Sequence, residues 1–142
     1  MPGKLIVPFT LMAICVTIHA AGIAGVLRRL RRLGLSGHTF WSSLGLFIVL
    51  AVWIVVLHLL EIAVWAWGYV GIGAIGDIKT ALYFSAVTYT TTGYGDIVPS
   101  PPWRIDAGIE ALTGILMCGW STGFFYAIVH RLYESQPQAL TS

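Results

Sequence analysis

The sequence predicts an all-α membrane protein: three transmembrane helices, with a short re-entrant helix and an irregular glycine-bearing strip folded between the second and the third. Three observations carry this. The 142 residues are 57% hydrophobic and 10% charged, with a mean hydropathy of +0.82, whereas soluble domains are about a quarter charged. The apolar residues gather into three runs long enough for the roughly 20 residues that a bilayer core requires. The segment between the second and third runs contains a moderately apolar stretch, Lys79–Thr90, which as a helix is too short to span. The length suits a single domain, and no internal repeat is visible.

The first run, about Leu5–Leu27, is longer than a signal-peptide core, and its basic cluster follows it; residues 1–27 are therefore a membrane helix rather than a cleaved leader. Arg28, Arg29, Arg31 and Arg32 come next with no acid among them. Residues 28–40 are expected to form a basic cytoplasmic loop that meets anionic lipid. Leu30, Leu33 and Leu35 alternate with the arginines, so a short interfacial helix is the alternative there. A voltage sensor is not expected, because such arginines must be spaced within the helix, and His19 is the only titratable residue inside it.

The second helix is expected at 41–69 and the third at 105–131, with Arg131 at its end and a short cytoplasmic tail at 132–142 that leaves no room for a regulatory domain. Three crossings put Arg28–Arg32 and Arg131 on one side, and the positive-inside rule makes that side cytoplasmic. The N-terminus then lies outside, and the plasma (inner) membrane is the expected location. The six tryptophans stand mostly near the ends of the apolar runs, as an interfacial belt would. Cys15 and Cys118 read as small buried hydrophobes.

The connection at 70–104 carries most of the information. Gly71, Gly73 and Gly76 mark a loop, and Asp77 is placed to cap a short helix at 79–90. That helix is only about 18 Å long. A Thr/Gly-rich strip follows, then a turn containing Pro99, Pro101 and Pro102. Irregular backbone at membrane depth persists only where it is buried in protein or lines water, so the segment predicts a pore or cavity.

The stretch Ala81-Leu82-Tyr83-Phe84-Ser85-Ala86-Val87-Thr88-Tyr89-Thr90-Thr91-Thr92-Gly93-Tyr94-Gly95-Asp96 resembles the pore helix and filter of the potassium channel pore family, and the likeness extends over 41–131. It implies an outer helix at 41–69, a pore helix at 79–90, a filter at 91–96 and an inner helix at 105–131, with the first helix as an extra at the periphery. It implies a homotetramer that conducts K+ passively, with K+ held by carbonyls of Thr91, Thr92, Gly93 and Tyr94 and by the Thr91 hydroxyl. Carbonyls suit that task because they replace a hydration shell more densely than side chains can. Gly93 and Gly95 fit it because alternate residues need the positive φ that glycine adopts cheaply.

The likeness departs from the family at Thr92, where an aliphatic residue is usual; its hydroxyl needs a partner. It assigns Thr88 to the Tyr94 hydroxyl and Tyr83 to the Asp96 carboxylate, while Phe84 and Val87 stand where other members carry polar supports. Along the inner helix it places Leu116, Gly119, Gly123, Phe124 and Ala127 near the pore, Gly114 as a hinge, and Phe124 or Phe125 as a constriction. Gly119 and Gly123 also form a helix-packing pair. Glu61 and Glu110 cannot face lipid as charges. The sharper reading has either one bonded behind the filter, so that conductance depends on external pH; the plainer one leaves Glu110 at the interface and pairs Glu61 with His58, three residues away.

The net charge of +2 gives no case for nucleic acid. No Ser/His/Asp cluster, metal-ligand spacing or phosphate loop is visible, so neither an enzyme nor an organic cofactor is expected. A weakly selective cation channel, a subunit of a potassium-uptake transporter and a non-conducting regulatory subunit remain as alternatives.

Overall fold

The structure, a computed structural model, describes residues 5–33 and 40–134. Four α-helices follow one another: α1 (Ile6–Leu33), α2 (Phe40–Gly71), α3 (Ile78–Tyr89) and α4 (Arg104–Glu134), the last entered through a 3-10 turn at Pro101–Trp103. No strand occurs among the described residues. Three helices are long and apolar enough to cross a membrane, within Ile6–Arg32, Ser43–Gly71 and Pro101–Leu132.

Local chemistry sets the ends of α3. Asp77 is extended (φ −140°, ψ 152°) and its side chain accepts from the Thr80 amide at 3.0 Å, satisfying one of the orphan donors of the first turn. Those bonds hold its carboxyl below the usual carboxylate range. The reversal from α2 into α3 passes through Gly73, whose φ of 71° suits a residue without Cβ. At the C-terminal end the Thr90 amide closes the last turn on the Ala86 carbonyl at 3.2 Å, and further on Pro101 and Pro102 stand in the 3-10 turn before α4, where a missing amide costs little.

α3 packs against both α2 and α4, and α1 lies along α2 and α4. Two apolar cores result. One joins Cys15, Ile62, Trp65, Tyr69, Phe84, Tyr89 and Met117; the other joins Ile23, Leu30, Leu50, Ile54, Phe124, Ile128 and Leu132. Between them runs a buried polar layer one helical turn deep. On α1 His19 stands between Cys15 and Ile23, on α2 His58 between Ile54 and Ile62, and on α4 Ser121 between Met117 and Phe124. The three-to-four-residue spacing keeps each trio on one helix face. α1 and α2 approach closely at two glycines: a Cβ on Gly22 would meet the Leu57 side chain, and one on Gly68 the Leu11 side chain.

Several expectations are corrected. Arg28, Arg29, Arg31 and Arg32 do not lie in a loop: α1 continues through them to Leu33, since Arg and Leu are strong helix formers and Leu30 is buried against α2 and α4. Residues 34–39, with Leu35, lie outside the described residues, as do 1–4 and 135–142; α4 itself runs on to Glu134. The tryptophan belt fails for Trp53 and Trp120, which stand mid-helix. Trp53 donates to the Gly22 carbonyl at 3.3 Å, and the Trp120 ring lies 5.6 Å from that of His19. Cys118 is exposed rather than buried. α1, the expected extra helix, packs on α2 and α4 and carries a fully buried His19 into that contact.

Candidate functional site

The strip that follows α3 is built by alternating backbone handedness. Thr91, Gly93 and Gly95 have φ of 59°, 56° and 77°, while Thr92 and Tyr94 between them do not enter the positive-φ region. For a β-branched threonine this is a costly conformation, on the order of 1–3 kcal/mol, and it persists only where neighbours enforce it. The end of α3 supplies that enforcement. The Thr91 amide donates to the Thr88 carbonyl at 2.9 Å, and the Gly93 amide to the Val87 carbonyl at 3.1 Å. Sequence reasoning anticipated positive φ at Gly93 and Gly95 but not at Thr91, where the residue type gives no such signal.

The Thr92 hydroxyl has a partner in the Thr90 hydroxyl at 3.0 Å, and Thr90 in turn donates to the Ala86 carbonyl at 2.7 Å. At the far end of the strip the Tyr83 hydroxyl donates to the Asp96 carboxylate at 2.7 Å, so α3 holds the strip at both ends. Among the described residues no bond joins Thr88 to Tyr94, whose ring is 71% exposed. A cavity of about 230 Å³ lies behind the strip, bounded by Tyr83, Phe84, Thr88, Asp96, Arg104 and Ala107. All of residues 90–96 are exposed in the single chain.

Two buried carboxylates grip α3 from behind. Glu110 of α4 accepts from the Tyr69 hydroxyl of α2 at 2.7 Å and from the Ser85 hydroxyl of α3, whose oxygen also lies 3.0 Å from the Ile62 carbonyl. It is fully buried, so the interface reading of Glu110 is corrected. Glu61 of α2 accepts from the Tyr89 hydroxyl at the last residue of α3, and its other oxygen lies 2.8 Å from Nδ1 of His19 on α1. His58 is a third partner at 3.3 Å, so the expected pair within α2 exists but is the longer contact. Neither acid touches residues 91–96; each holds the helix that carries them.

Tyr69, Ser85, Tyr89, His19 and Ser121 were not singled out together from the sequence. The available signal was that a polar side chain at membrane depth demands a partner. The register between helices that would pair them is not written in the spacing.

The inner-helix candidates divide. Leu116, Gly119, Gly123 and Ala127 are exposed in the single chain, and a Cβ on Gly119 or Gly123 would meet nothing within 4 Å. Phe124 is corrected: it is buried with Ile23 and Ile54 in the protomer's own core and cannot also form a constriction. Gly114 is buried where a Cβ would overlap the Tyr89 carbonyl oxygen. Close approach of α4 to the end of α3 thus accounts for this glycine, and α4 runs unbroken through it.

Residues 46–131, more than half of the chain, match the family model described as an ion channel. The chain belongs to that ion-channel family. No curated protein and no solved structure matches it. The matched region takes in α2 from residue 46 onward, α3, the strip and all but the last turn of α4, and it leaves α1 outside. The protein is therefore a membrane-embedded ion channel subunit.

Proposed function

We propose that this channel is a homotetramer selective for K+, passing the ion through a filter made by Thr91, Thr92, Gly93, Tyr94 and Gly95 of four chains. The observation that carries the reading is the alternation of positive φ at residues 91, 93 and 95 in a strip tied at both ends to the short helix. Alternating handedness turns successive main-chain oxygens toward one side, as a carbonyl-lined ion path requires. Exposure of the whole strip in one chain supports further copies around it, because bare irregular backbone is not tolerated in lipid, and closed rotational symmetry is the rule for homo-oligomers. The C-terminal end of α3 brings the negative end of its dipole to the inner end of the strip, which favours a cation.

Orientation follows from the arginines: Arg28–Arg32 and Arg131 face the cytoplasm of a plasma (inner) membrane. Arg31 and Arg131 share a groove with Leu27, Leu30 and Ala127, a combination of paired cations and apolar wall that suits an anionic lipid.

Purified protein in planar bilayers, with K+ on one side and Na+ on the other, tests the proposal. Each tenfold preference moves the reversal potential by about 59 mV, so a strongly selective filter reverses beyond about 100 mV. Reversal near zero would establish the weakly selective alternative, which the hydroxyl at Thr92 keeps open. Silent liposomes containing folded tetramers would favour a regulatory subunit.

A further inference from the structure

The polar layer between the two cores is a closed ring of five side chains from all four helices. His19 Nδ1 lies 2.8 Å from Glu61 Oε1, and His19 Nε2 lies 3.1 Å from the Ser121 hydroxyl. That hydroxyl lies 3.2 Å from His58 Nε2, while His58 Nδ1 lies 3.2 Å from the Tyr89 hydroxyl, which bonds to Glu61 Oε2. His19, Glu61 and Ser121 are all buried, and His58 is partly so.

The ring contains five contacts and gathers one carboxylate and two imidazoles where little water reaches.

The donors also have the arrangement that a transition metal uses. Both imidazoles turn the same nitrogen, Nδ1, toward one carboxylate and the same other nitrogen, Nε2, toward one hydroxyl. Ligand histidines are commonly oriented in this way, with the second nitrogen donating to a neighbouring oxygen. One atom from each of His19, His58 and Glu61 lies within 4.8 Å of the others. In a tetrahedral site with bonds of about 2.0–2.2 Å the donors stand roughly 3.3–3.6 Å apart, so the contacts of His19 and His58 with Glu61, at 2.8 and 3.3 Å, are close to what ligation needs, while the Tyr89 hydroxyl, now bonded to Glu61, must draw back to ligate. Two imidazole nitrogens and a carboxylate, with a phenol oxygen at the fourth position, form a zinc-type donor set.

We propose that His19, His58 and Glu61 form an intramembrane site for a divalent transition metal of the Zn2+ class, with Tyr89 as fourth donor and Ser121 orienting both imidazoles. His58 and Glu61 stand three residues apart on α2, but the sequence hides the site because the third ligand, His19, comes from α1, 42 residues from Glu61. An ion there fastens α1 to Tyr89, the residue that ends α3 just before the strip. The site is distinct from the filter, so its existence and K+ selectivity succeed or fail separately.

The test is metal uptake by the full-length protein in detergent, with Zn2+ measured by equilibrium dialysis and Co2+ by its visible absorption. The expected result is one Zn2+ per chain and the intense bands of four-coordinate Co2+. His19→Gln, His58→Gln and Glu61→Gln should each abolish both. Ser121→Ala, which keeps every ligand, should weaken binding about 10- to 100-fold. Helical circular dichroism and elution volume establish that each variant is folded; if a ligand variant does not fold, Ser121→Ala and a Zn2+-dependent rise in the wild-type Tm serve in its place. Folded wild-type protein that takes up neither ion overturns the assignment, as do ligand variants that bind as well as wild type.

Discussion

Replacing Gly114 by alanine should loosen the end of α3 and, with it, the ion path. Alanine normally favours a helix interior over glycine by about 0.8–1.0 kcal/mol. At Gly114 the added methyl would overlap the carbonyl oxygen of Tyr89, a backbone atom that no rotamer change can move aside. Overpacking of this kind costs about 1–3 kcal/mol, and an overlap with main chain belongs at the upper end. The net expectation is a loss of about 2 kcal/mol, close to a 30-fold fall in the folded-to-unfolded ratio. Gly108 on the same helix is the control, because a Cβ there meets nothing within 4 Å; Gly108→Ala should be neutral or slightly stabilising. Unfolding of both variants in mixed micelles, followed by circular dichroism, measures the difference, and single-channel recording of the folded fraction reports the strip. Equal stability of Gly114→Ala and Gly108→Ala, with unaltered conductance in both, would refute the claim that α4 and α3 meet at this glycine.

Three further outcomes are expected. Tyr83→Phe removes the 2.7 Å bond to Asp96; the pair is exposed, so the unfolding midpoint should not move, while channels should inactivate faster in prolonged recordings. Glu110→Gln keeps the shape but removes charge from the bonds to Tyr69 and Ser85, and should destabilise by roughly 1–3 kcal/mol in denaturant titration; unchanged midpoints would show that the acid is not the hub it resembles. Thr92→Val frees the Thr90 hydroxyl from its side-chain partner yet leaves the main-chain oxygen in place, so the K+/Na+ reversal potential should stay within about a tenfold permeability ratio, near 59 mV, of wild type.

What the sequence discloses and what it hides differ by physical cause. Spans and the Asp77 cap are legible because each depends on residues near one another along the chain, or on hydropathy over a window; the Tyr83–Asp96 pair, 13 residues apart, is legible only through the family resemblance. Partners across helices are not. In lipid the outside of a helix is as apolar as its packed face, so amphipathic periodicity, which orients a soluble helix, gives little direction here. Phe124 was misplaced for this reason: nothing in its neighbours distinguishes the face toward Ile23 and Ile54 from the face toward open space. The pairing of Glu61 with His58 is visible at three residues' separation, whereas the shorter bond from His19 depends on how α1 sits against α2. Thr91 was hidden differently, since the residue type argues against the φ it adopts and only the bonds from α3 impose it.

The arrangement also explains why so short a helix as α3 can stand in a membrane. Twelve residues make a marginal helix in isolation, and its end must hold a strip that is strained at Thr91. Apolar packing cannot fix its position well, because helix surfaces gain little over lipid from hydrophobic contact alone. Hydrogen bonds can, since a polar group in that environment has few other partners. Ser85 near the middle of α3 meets Glu110, Tyr89 at its end meets Glu61, and Tyr83 on its exposed side meets Asp96. Two bonds along the buried face, at Ser85 and Tyr89, and one on the opposite side, at Tyr83, fix its depth and its rotation together. α2 and α4 supply both buried acids, which is why the matched region contains the means of placing the strip. α1 adds the one thing they lack, a second imidazole for Glu61, and so connects an outlying helix to the residue on which the strip begins.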